Sequence, residues 1–105
     1  MPRYAILQSH PPDNCPLTNE KVRKFAMEHL PRLDEMARAR GVTIIANDHL
    51  DPAHKAIMIL EAPSAETVRD LVFEAGFMHF TEMEFYMVTP VAELVAKADQ
   101  IPTIY

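Results

Sequence analysis

Along the first residues the side chains alternate loosely, with Tyr4, Ile6, Gln8 and His10 on one side of an extended chain and Ala5, Leu7 and Ser9 on the other. That period of two predicts a strand from Arg3 to His10, and Pro11-Pro12 ends it because neither proline can donate to a ladder. After a loop to Leu17 the period changes. Val22, Phe25, Ala26, His29, Leu33, Met36 and Ala37 fall near one helical face, with Thr18 as N-cap and Gly41 as the stop. Pro31 interrupts this pattern and predicts a kink or two abutting helices. Val42 to Asn47 is a short β-branched strand, Asp48 to His54 a polar turn, and Lys55 to Ala62 a third strand forming a hairpin with the second. Ser64 caps a helix whose stripe is Val68, Leu71, Val72 and Ala75, ending at Gly76. Glu82 to Val88 alternates again as a fourth strand, and Pro90 opens a short last helix to about Ala98.

The order strand, helix, strand, strand, helix, strand is the split βαβ arrangement of an α+β, ferredoxin-like fold. Right-handed crossovers then give an antiparallel sheet of order 4-1-3-2 with both helices on one face. At 105 residues the chain is one domain. Size scaling gives such a chain a folded surface of roughly 6,000 Å².

The bare sheet face is expected to carry Ile6, Met58 and Leu60, and an apolar surface of that kind calls for cover. A second copy supplies it most simply, so the expectation is a homodimer through the open face, with higher oligomers allowed by the apolar tail Ile101 to Tyr105. The same alternation puts Tyr4, Gln8, His10, Glu82, Glu84 and Tyr86 on that face, lining a partly polar cavity.

Charge narrows the range of partners. Ten Lys and Arg against fifteen Asp and Glu leave a net charge of -5, which argues against nucleic acid as a partner. No apolar run approaches a membrane span. A single cysteine and no signal-peptide pattern at Met1-Pro2-Arg3-Tyr4 point to a cytoplasmic chain.

Five histidines are many for a small acidic chain. The expected topology puts His10, His49, His54 and His79 at or next to one end of the sheet, with Cys15 in the loop leaving the same edge. Imidazole and thiolate together suit nickel, copper or zinc. A metal site of His10, His54, His79 and Cys15 is the first reading, with Glu82 as a further ligand or as the group orienting His10. The second is an enzyme acting on a small organic substrate without a cofactor, with His10 as general base, Glu82 orienting it, and Tyr4, Gln8 or Tyr86 polarising a carbonyl. The third is a dimeric binding module without chemistry. His29, on the apolar helix face, reads as a core residue.

The layout resembles the dimeric α+β barrel proteins, a group that includes muconolactone isomerases, cofactor-independent monooxygenases and small nickel-binding proteins. The segments Met1-Pro2-Arg3-Tyr4 and Glu61-Ala62-Pro63-Ser64-Ala65-Glu66-Thr67-Val68-Arg69 are most similar to the nickel-binding group. The resemblance implies a dimeric barrel and a divalent transition metal as ligand.

Overall fold

The computed structural model describes all residues, Met1 to Tyr105. Its elements are β1 (Arg3–Ser9), α1 (Glu20–His29), α2 (Leu33–Ala39), β2 (Thr43–Leu50), β3 (Lys55–Glu61), α3 (Ala65–Ala75), β4 (Glu82–Val88) and α4 (Val91–Ala96). The four strands form one antiparallel sheet of order β2-β3-β1-β4, which read from the other edge is the expected 4-1-3-2.

Local chemistry explains most boundaries. Asn19, one residue beyond the expected Thr18, caps α1 by accepting a hydrogen bond from the Val22 amide at 3.0 Å. Pro31 lies in a single 3-10 turn, Leu30–Arg32, that separates α1 from α2, because its ring cannot donate to an α-helical ladder. Ser64 caps α3 by accepting from the Thr67 amide at 3.2 Å. Gly76 ends α3 in the left-handed region, φ +80°, and a Cβ there would collide with the Phe25 ring. Glycine is therefore required twice over, by backbone and by the Phe25 ring. β2 runs three residues past the expected Asn47. Asp48, His49 and Leu50 are polar or exposed, yet their backbone pairs in register with Ile57, Ala56 and Lys55.

The main correction concerns which face of the sheet the helices cover. Tyr4, Ile6, Met58 and Leu60 are buried in one cluster with Leu33, Met36 and Ala37 of α2 and Val68, Leu71, Val72 and Ala75 of α3. Gln8 is buried on the same side. Ile6, Met58 and Leu60 are thus the centre of the core, each contributing about 1.5–3 kcal/mol by burial. The open face carries the other set. Ala5 pairs with Ile59 and Tyr86, Leu7 with Ile57 and Glu84, and Ser9 with Lys55 and Glu82. Tyr4, Ile6, Met58 and Leu60 fill the space under the two helices.

No helix is long and apolar enough to cross a membrane.

Candidate metal centre

The candidate centre lies where β1 ends and β3 begins. Register puts Ser9 opposite Lys55, so the next residue of β1, His10, meets the residue before β3, His54. The backbone fixes this meeting, since the His10 amide donates to the His54 carbonyl at 3.1 Å. Their rings lie edge to face with centroids 5.2 Å apart.

Cys15 reaches the same place on the loop leaving β1. Pro11 holds an extended backbone, and Pro12–Asn14 forms one 3-10 turn that reverses the chain and delivers Cys15 inward. The loop is tied by polar bonds along its whole length. Asn19 Nδ2 donates to the Asp13 carbonyl at 2.8 Å, Thr18 Oγ1 to the Pro12 carbonyl at 3.3 Å, and Arg23 to the carbonyls of Pro16 and Leu17. Cys15 is 2% exposed. The Leu17 amide donates to its Sγ at 3.4 Å, which orients the sulfur within the loop.

One ligand atom each from His10, Cys15 and His54 lies within 4.8 Å of the others. Around a bound zinc, with bonds of about 2.0–2.3 Å, such atoms stand roughly 3.3–3.8 Å apart, so the side chains have about 1 Å to close. His10 is prepared for the role. Its Nε2 is buried without a hydrogen-bond partner. Burial foremost, then the neighbouring His54 and His49, hold its pKa below the usual imidazole range. The ring is therefore neutral at pH 7 with a lone pair to offer, the state in which imidazole ligates a metal. The three residues could hold a metal ion, and their nitrogen and sulfur donors fit a transition metal better than magnesium or calcium.

Other expected site residues lie elsewhere. His79 is at the same end of the sheet but packs edge-on against Phe25, centroids 5.0 Å apart. His29 stacks on the same ring at 3.9 Å and bonds through Nδ1 to the Phe25 carbonyl, so it belongs to an aromatic cluster. His49 hydrogen-bonds Asp51 beside the centre. Glu82 pairs with Ser9, not His10, and so lies on the face opposite the one His10 continues. The alternation that buries Gln8 makes this unavoidable: Glu82 cannot orient the His10 ring as a cross-strand neighbour.

The expected substrate cavity is divided in the same way. Tyr4 and Gln8 are buried under the helices, while Glu84 and Tyr86 are exposed on the open face, where Tyr86 donates to Glu84 at 2.6 Å. That bond, first, and the carboxylate charge raise the Tyr86 pKa and keep it a neutral phenol. An apolar groove of about 540 Å³ lies instead between α3 and β4.

No family model and no curated protein matches the chain. Among solved structures, the chain is similar to a REP-associated tyrosine transposase bound to a REP hairpin. The TM-score is 0.53 at 11% identity, covering 93% of this chain and 62% of that one. This chain therefore spans less than two thirds of that structure, and the likeness is one of fold.

Proposed function

We propose that the protein binds one transition-metal ion, nickel, copper or zinc, through His10, Cys15 and His54. The observation that carries this reading is the convergence of two imidazoles and the only thiol from two distant segments, the end of β1 with its following loop and the start of β3, with a buried His10 nitrogen left without a partner. Buried polar nitrogens are rarely left unpaired, and an ion would satisfy this one. Three protein ligands leave a coordination position for water or a small molecule, as in zinc sites that keep an open position. A net charge of -5 also favours a cation as ligand.

The small nickel-binding proteins of the dimeric α+β barrel group are the family reading this proposal favours, on the N-terminal and Glu61–Arg69 segments and on the strand order. The hairpin bound by the structural neighbour is not carried over to this chain. A phosphate-binding surface needs clustered Lys and Arg, and this chain has more acidic than basic residues.

The test is metal analysis of protein purified without chelators or added metal, with His10→Ala alongside. Stoichiometric nickel, copper or zinc in the wild type and its loss in the variant are expected. Absence of metal in both, after the apoprotein has also been offered each ion, would sink the proposal.

A further inference from the structure

Two apolar surfaces of this chain have no cover. The first is the C-terminal arm. Every residue from Pro90 to Tyr105 is exposed, including Val91, Leu94, Val95, Ile101, Ile104 and Tyr105. Pro90 is extended and α4 continues away from the sheet, giving a molecule 53 × 32 × 18 Å with a radius of gyration of 16.2 Å. A compact chain of this length has a radius near 13 Å. The second surface is the groove between α3 and β4, an open channel of about 540 Å³ whose walls include Ile6, Val72, Phe73, Met78, Met83 and Phe85. Phe73, Met78 and Phe85 are each about half exposed.

We infer that the arm of one copy docks in the groove of a second copy, the two copies exchanging arms reciprocally. Area supports a second copy as the occupant. The accessible surface is 7441 Å². Roughly 6,000 Å² is expected of a folded monomer of this mass. The excess, about 1,400 Å² in each chain, is more than the ~800 Å² that each partner hides in a standard two-partner interface. Burying the six large apolar side chains of the arm removes about 60–120 Å² each, with a like area on the groove wall, and a two-fold dimer does this twice. The total passes the size of a stable interface. Charge is compatible as well, since the groove rim carries Glu66 and Arg69 and the arm carries Glu93, Lys97 and Asp99.

The experiment uses two full-length variants, each changed only at exposed positions so that folding is preserved, with circular dichroism as the check. One carries Leu94→Glu and Ile101→Glu on the arm; the other carries Phe73→Glu and Met78→Glu in the groove. Sedimentation equilibrium should show a dimeric wild type and a dimer dissociation constant raised ~10-fold or more in each variant. Mixing the two should restore a heterodimer, because the intact arm of one meets the intact groove of the other. A monomeric wild type overturns the inference. So does a dimer unaffected by either variant, which would place the contact on the open sheet face, and so does a mixture that forms no heterodimer. Metal content enters none of these readouts, so the outcome is separate from that of the proposed centre.

Discussion

Replacing Cys15 by Ser would remove one donor of the proposed centre while leaving the apoprotein nearly intact. The residue is buried and its sulfur accepts one amide hydrogen, a role a serine oxygen also fills. The effect therefore concentrates in the metal-bound state. A four-ligand zinc site contributes about 10–16 kcal/mol, or roughly 3 kcal/mol for each ligand, so losing the thiolate weakens binding about 100- to 1,000-fold. Linkage turns this into a melting temperature. With metal at about 100 times the wild-type dissociation constant, binding stabilises the native state by ~2.7 kcal/mol, and in the variant by less than ~0.5 kcal/mol. For a chain of this size each kcal/mol shifts the midpoint by about 4–8 °C, giving a rise of roughly 10–20 °C for the wild type and a few degrees for Cys15→Ser. Thermal melts with and without zinc, nickel or copper(I), paired with calorimetric titration, measure both numbers. Equal metal-induced shifts in the two proteins would refute the reasoning, as would a wild type that responds to none of the ions.

Asn19 has two jobs, capping α1 with its oxygen and closing the ligand loop with its amide nitrogen. Asn19→Asp keeps the cap and removes the donor, so metal affinity should fall about 10-fold with little loss of helix content, as titration and circular dichroism will show. Met58→Ala should cost about 2–5 kcal/mol in urea denaturation, and Leu7→Ala, on the open face, well under half as much. Equal costs would mean that the core lies on the other side of the sheet. The metal-free protein should lose stability in acid. His10 has a lowered pKa in the native state, so between that value and the ordinary one near 6.5 the unfolded chain binds more protons. Stability is full above about pH 6.5 and falls as pH drops through the His10 pKa, and His10→Asn should flatten that slope.

Strand and helix identity were legible because periodicity and punctuation agreed, as at Ser64, Gly76 and the alternating run from Glu82 to Val88. Strand order followed from the element order by chirality. The covered face was not legible in the same way. Both sides of β1 hold apolar residues, and the side containing Gln8 and His10 reads as the more polar one, although it is the side whose larger residues fill the core. That inversion puts Tyr4, Ile6, Gln8, Met58 and Leu60 under the helices and leaves Glu82, which is on the open face as expected, without the His10 neighbour the reading gave it. The meeting of His10 with His54 depends only on which strand ends are adjacent, and topology sufficed to find it. Cys15 required more, because its position is set by two prolines and several side-chain bonds to loop carbonyls. His79 shows a related limit: a residue can lie at the expected end of a sheet and still pack against an aromatic neighbour, here Phe25.

The His10 amide bond to the His54 carbonyl also bears on how fast an ion would come and go. Two of the three donors are fixed by main chain at the junction of two central strands, so releasing them means opening the sheet. The third rides on a loop outside the strands. Exchange would therefore be gated by lifting of the segment from Pro11 to Asn19, and the bonds that Asn19, Thr18 and Arg23 make to that segment would act as its latch. Affinity and exchange rate become separately adjustable properties, the first set by the donors and the second by the latch.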